Sequence, residues 1–292
     1  MTNFHGEPTR LLENQFVQLE YLASSARIVR FAPTGKADLF ADLGLHPLQT
    51  QYGNFYFRGG HRLWHSPEAM PRTYVPDNEG ATVTEIENGV RIDQPAEPWT
   101  HIGKSIEIRL DPKQPRLMLQ HELRNEGAWP VEFAPWALTM FRPGGVAIFP
   151  QPSGNVDSAG LLPNRQITLW PYASISDSRL TWRDDFVLIH AEPKLPPFKF
   201  GYFNRHGWMG YWLDGILFVK RFEPSSDPSS YPDGGCNVES YCNDKFIELE
   251  TLGPLTRLEP GASVHHMETW EVYTELDVYL IPSEIKEIVT SL

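Results

Sequence analysis

The sequence predicts an antiparallel all-β protein made of two large packed sheets. Hydrophobic residues alternate with polar ones along most of the 292-residue chain, stripes of helical period are scarce, and 26 prolines and 22 glycines punctuate the alternating runs. In SIEIRL, 105–110, Ile106, Ile108 and Leu110 alternate with Glu107 and Arg109. LMLQHELRN, 117–125, then puts Leu117, Leu119 and Leu123 on one face, so both segments read as half-buried strands. Turn clusters separate such runs: PTG at 33–35, PDNEG at 76–80, DPKQP at 111–115, NEGAWP at 125–130, RPGG at 142–145, PSGN at 152–155, PDGG at 232–235 and EPG at 259–261. Helix is expected only in the tail, Ser283 to Leu292, and for about a turn near Ser66 to Met70. PSSDPSSYPDGG, 224–235, lies between apolar segments and reads as a long loop over one sheet face. One continuous domain over 1–292 is preferred to two.

Composition narrows the function. Charged residues are 21% and hydrophobic ones 41%, the balance of a globular chain rather than a disordered one. A net charge of -12, with no basic run, argues against nucleic acid as a partner. No segment approaches a membrane span, and the N-terminus has no basic segment followed by an apolar one, so a cytoplasmic location and no membrane partner are expected. Cys236 and Cys242 lack zinc-like neighbours and are expected to be reduced thiols. Phosphate-loop, dinucleotide, nucleophile-elbow and zincin motifs are all missing, which leaves acid/base chemistry by carboxylates and histidines open. No cofactor or metal is expected.

Five features attract attention. Nine tryptophans occur; most are expected in the core, but a few in one cleft would provide platforms for sugar rings. FRGGHRLWHSPE, 57–68, joins two glycines to His61, Arg62 and His65, a set suited to hydrogen-bonding a polyol or to a plain polar turn; its His-x-x-x-His spacing suits a metal only on a helix. KFGYFNRHGWMGYW, 199–212, offers Lys199, Asn204 and His206 among aromatic residues, either as a second wall of a polar cleft or as a solvated loop. His121 falls on the apolar face of its strand and reads as a buried, hydrogen-bonded histidine. In KFIELETLGP, Glu248 and Glu250 share one face of a strand while Ile247 and Leu249 look like core. The two carboxylates are separated by about 6.6 Å along the strand, so they form either a coupled acid/base pair or a solvent-facing Glu-x-Glu.

LETLGPLTRLEPGASVHHMETWEVY resembles the C-terminal end of the aldose 1-epimerases (galactose mutarotases). The resemblance is carried by Leu249-Glu250-Thr251, Pro254, Leu258-Glu259-Pro260-Gly261 and Thr269-Trp270, and more faintly by the strand–Asn125–turn–Val131 unit upstream. It implies a mutarotase-like β-supersandwich, a small carbohydrate as ligand, interconversion of anomers and Glu250 as the base for the anomeric hydroxyl proton. Trp136 stands where the family has its acid histidine, so His61 or His206 is expected to supply the proton. Arg62, Asn204 and Trp136 would position the ring, with His65, Lys199 and Glu248 also in the site. A binding or sensing module without catalysis is the alternative.

Overall fold

The computed structural model describes residues 2–276; the helix expected over Ser283 to Leu292 lies outside them. Among the described residues, twelve strands form one antiparallel sheet and ten form another. In the larger sheet the site-bearing strands run side by side in the order Gly53–Ser66, Val131–Phe141, Ile247–Leu252, Val238–Cys242 and Phe198–Tyr202. Leu180–Trp182 and Thr82–Ile86 are the edges of the smaller sheet, with Ile216–Arg221, Ser263–Tyr273 and Arg116–Asn125 at its centre. Ile106, Ile108, Leu117, Leu119 and Leu123 are all fully buried in the core between the sheets, as their alternation predicts. The helical turn expected near Ser66 to Met70 is not formed: Ser66 ends a strand, and a single 3-10 turn follows at Arg72–Tyr74. The 224–235 loop holds a 3-10 turn at Pro228–Ser230 and a tight turn at Pro232–Gly235 in which Asp233 and Gly234 are left-handed.

Burial fixes which way each strand faces. Ile247 and Leu249 enter the inter-sheet core, so Glu248 and Glu250 face the outer side of the larger sheet. A one-residue slip would exchange these sets, giving up about 1.5–3 kcal/mol for each large apolar side chain and pushing carboxylates into the core. The same alternation sends Trp136 and Leu138 outward from Val131–Phe141 while Phe133, Thr139 and Phe141 point inward. Register then aligns the outward residues: Leu138 lies between Arg62 and Glu250, and Glu250 is paired with Glu239.

The strand Gly53–Ser66 changes parity along its length. Arg58, Gly59 and Gly60 have φ values of 59°, 95° and 64°, a left-handed run that shifts the alternation. Glycine is required at two of these positions: a Cβ on Gly59 would stand 1.8 Å from Ala41 O, and one on Gly60 2.0 Å from Ile28 O. Phe55 and Phe57 lie on the outer face before the irregularity, and Arg62 and Trp64 lie there after it. His61, Leu63 and His65 are consequently turned inward.

Inside the sandwich lies a hydrogen-bonded polar network. His61 Nδ1 meets Thr139 Oγ1 at 2.9 Å, and its Nε2 meets His121 Nε2 at 2.8 Å. His121 Nδ1 donates to the carbonyl of His266 at 3.1 Å. Lys220 Nζ donates to Thr139 Oγ1 at 2.7 Å and to Leu249 O at 3.1 Å, and pairs with Glu268 at 3.0 Å. Trp270 Nε1 holds the other Glu268 oxygen at 2.8 Å. Burial drives the His61 and His121 pKa values down, and although burial alone would raise that of Glu268, Lys220 and the surrounding histidines pull it well below the carboxylate range. The result is neutral imidazoles around one ion pair.

Candidate functional site

The outward residues of the five neighbouring strands form the floor of an open cleft of about 980 Å³. Arg62, Trp64, Trp136, Leu138, Lys199, Tyr241 and Glu248 come from the sheet itself, while Tyr74 and Tyr172 come from connecting segments. Trp64 and Trp136 are each only 3% exposed and pack edge to face at 5.4 Å, so they support the charged groups above them rather than presenting open ring faces. The aromatic surface left open to a ligand is that of Phe57, Tyr172 and Tyr241.

Two charged assemblies sit on this floor. Arg62 stacks over Trp64 with its guanidinium carbon 4.1 Å from a ring centroid and donates through Nη2 to Glu248 Oε1 at 2.8 Å. Its Nε and Nη1 have no hydrogen-bond partner among the described residues. Burial lifts the Glu248 carboxyl to about 7 against the lowering pull of Arg62, and Glu250 adds to the rise. The second assembly places Lys199 Nζ 2.6 Å from Glu239 Oε2 and 3.2 Å from Glu250 Oε2, between Trp136 at 4.8 Å and Trp170 at 4.5 Å. Burial opposes the Lys199 charge, but Glu250 and then Glu239 outweigh it and hold the ammonium well above the ordinary lysine range. Burial pushes Glu239 up despite Lys199, with Glu250 and Asp233 reinforcing the shift.

Glu250 itself is fully buried. Its Oε2 accepts from Trp136 Nε1 at 2.9 Å as well as from Lys199, and its Oε1 has no hydrogen-bond partner among the described residues. Trp136, at the position where the resemblance expects a histidine acid, thus holds the carboxylate in place with an indole N–H. Tryptophan donates there and has no proton to exchange at neutral pH.

Arg62, Trp136, Lys199, Glu248 and Glu250 are therefore brought together, and four other sequence candidates are not. His61 lies on the opposite face of the sheet, fully enclosed in the interior network. His65 is 1% exposed between the sheets, 3.5 Å from Glu97 and beside Phe133; burial lowers its pKa. Asn204 is buried in a turn, where Nδ2 donates to Trp208 O at 2.7 Å and Oδ1 accepts from the His206 backbone N–H at 2.8 Å. His206, at the surface of that turn, donates through Nε2 to Gln151 O at 3.2 Å and does not line the cleft. The left-handed run at 58–60 explains the first two, and turn-building chemistry explains the others. Among the described residues, His61, His121 and Glu268 have donor atoms close enough to hold a metal ion, within 4.8 Å of one another. Their nitrogens and oxygens are already matched to protein groups, and Lys220 supplies the positive charge beside Glu268.

Sequence reasoning did not single out Glu239, although VESYC repeats the same outward spacing of an acid and a polar aromatic. A hairpin turning at Asn243–Phe246 places Glu239 opposite Glu250. Tyr172 and Asp233 come from irregular segments that carry no periodic signal.

Similarity to solved structures follows the same architecture. A candidate aldose 1-epimerase from Klebsiella pneumoniae superposes with a TM-score of 0.65 at 12% identity, over 99% of this chain and 85% of that one. The chain has the galactose mutarotase-like fold. A galactose mutarotase-like protein from Clostridium acetobutylicum matches with a TM-score of 0.58 at 10% identity, over 94% and 97% of the two chains. A TPR-domain containing protein from Parabacteroides distasonis matches with a TM-score of 0.61 at 15% identity; 94% of this chain is covered but 48% of that protein, so the chain spans about half its length. No family model and no curated protein matches the sequence. Among the described residues, no helix is long and apolar enough to cross a membrane.

Proposed function

We propose that the outer-face cleft binds a sugar, with Phe57, Tyr172 and Tyr241 against the ring and Arg62, Glu248 and Lys199 meeting its hydroxyls. The observation that carries this reading is the convergence of the Arg62–Glu248 pair and the Lys199 assembly in one open, aromatic-walled cleft. Sugars need both surfaces: C–H faces pack on aromatic rings, while hydroxyls both donate and accept.

The reaction this site supports best is proton exchange at the anomeric centre. Interconverting anomers requires one group to take the hydroxyl proton and another to give a proton to the ring oxygen. Glu248 lines the cleft and titrates near neutrality, which suits a group that exchanges a proton in each turnover. With Glu248 taking the hydroxyl proton, solvent reaching the open cleft gives the proton to the ring oxygen; Lys199 adds a fixed hydrogen-bond donor, and Glu250 behind it sets the position of both Lys199 and Trp136. His61 and His206 take no part in this proposal.

A second reading, binding without turnover, is favoured by one observation: Trp136 caps Glu250 where the resemblance expects an acid. Polarimetry of freshly dissolved α-anomers, run beside calorimetric titration with a hexose and pentose panel, separates the readings. Acceleration that falls at least about tenfold in Glu248→Gln supports catalysis. Saturable binding with no acceleration supports the binding module, and absence of both across the panel contradicts a sugar site.

A further inference from the structure

Beside the main cleft lies a smaller pocket of about 320 Å³, with Glu68, Trp136 and Lys199 lining both. Its other walls include Trp170, Asp233 and Glu239. We infer that this side pocket receives a cationic amino group carried by the ligand, making the cleft selective for an amino sugar over its neutral parent; this rests on the sugar-binding reading above.

Three features carry the inference. Glu239 is 1% exposed, and among the described residues its Oε1 has neither a hydrogen-bond donor nor an ion partner, a buried acceptor left for something outside the protein to satisfy. The pocket is also short of positive charge: among the described residues Glu68, Asp233 and Glu239 line it with one cation, Lys199, which is shared with Glu250. Finally, the half-buried Trp170 lines the pocket and already lies 4.5 Å from the Lys199 ammonium, a wall of the kind that holds a positive nitrogen by its attraction to a ring face.

An ammonium substituent on a sugar in the main cleft can reach this space past the shared Trp136 wall. It brings N–H donors to Glu239 Oε1 and Asp233 as well as a charge. A hydroxyl brings one donor and no charge, an acetamido group is neutral, and a carboxylate or phosphate is repelled.

The test is calorimetric titration of the whole protein near neutral pH with glucosamine, N-acetylglucosamine, glucose and the three galacto counterparts. The expected result is an amino sugar bound at least about tenfold more tightly than its neutral parent, as one charge-assisted contact provides. In Glu239→Gln and in Asp233→Asn the ratio of amino to neutral affinity should fall toward one. Asp233 sits at a φ of 54°, where asparagine is well tolerated, so this variant keeps the test informative if Glu239→Gln folds poorly. Equal affinity for amino and neutral sugars, tighter binding of the acetamido form, or an unchanged ratio in both variants overturns the inference while leaving the sugar site intact. Failure of all six sugars to bind overturns the sugar-binding reading and this inference with it.

Discussion

Replacing Glu248 with glutamine should flatten the dependence of folding stability on pH. Glu248 is 6% exposed, and burial lifts its carboxyl from the ordinary 4.5 to about 7, against Arg62 and with the help of Glu250. Between those values the native protein holds a proton that the unfolded chain has released. The stabilisation is therefore complete below the unfolded value and is lost as pH rises through the folded one. At about 1.36 kcal/mol per unit, most of the shift is traversed between roughly pH 5 and pH 8, a loss of about 2–3 kcal/mol from this group. Urea unfolding of wild type and Glu248→Gln at both pH values isolates it, because other titrating groups and the constant cost of leaving Arg62 without its carboxylate largely cancel in the double difference. The predicted double difference is about 2–3 kcal/mol, with wild type losing more stability toward alkaline pH. A value below about 0.5 kcal/mol, within the scatter of such extrapolations, would refute the assignment of Glu248 as the neutral-range group in the cleft.

Other consequences can be checked separately. Lys220→Met leaves Glu268 charged and uncompensated in the interior and should cost about 3–5 kcal/mol in chemical denaturation, whereas adding Glu268→Leu should recover much of it. Gly60→Ala combines a φ of 64° with a Cβ 2.0 Å from Ile28 O, so a loss of more than about 3 kcal/mol or failure to fold is expected on thermal unfolding. Trp136→Phe removes the indole donor to Glu250 and should destabilise by about 1–3 kcal/mol, read by the urea midpoint. Cys236 and Cys242 are free and 1% exposed, and burial lifts their thiols to about 12 and about 11. A thiol reagent should consequently modify the native protein slowly and the unfolded protein at once.

The sheets were legible because alternation is a local signal. SIEIRL and LMLQHELRN declare their inward residues directly, and in KFIELETL the same rule correctly turned both glutamates away from Ile247 and Leu249. FRGGHRLWHSPE was harder to read because its glycines do something other than admit a ligand. They let neighbouring strands approach and shift parity, which turns Arg62 and Trp64 to the outer face and His61 and His65 inward. Residue type alone made all four polar or aromatic residues equal candidates. Asn204 and His206 were misplaced for a related reason: amides and imidazoles also build turns, and these two hydrogen-bond backbone groups in one. Lys199 was found through its aromatic surroundings, but its partners depend on register. Only pairing Val238–Cys242 with both Ile247–Leu252 and Phe198–Tyr202 brings Glu239, Glu250 and Lys199 together.

The central claim, that the outer face of the larger sheet is a sugar site, is tested most directly by a crystal soaked with mixed monosaccharides. The account predicts density for a ring between Tyr172, Tyr241 and Phe57, with hydroxyls within hydrogen-bond distance of Glu248, Arg62 and Lys199. A soaked crystal with this cleft open to solvent and no ring in it, or with a sugar bound only elsewhere, would contradict it.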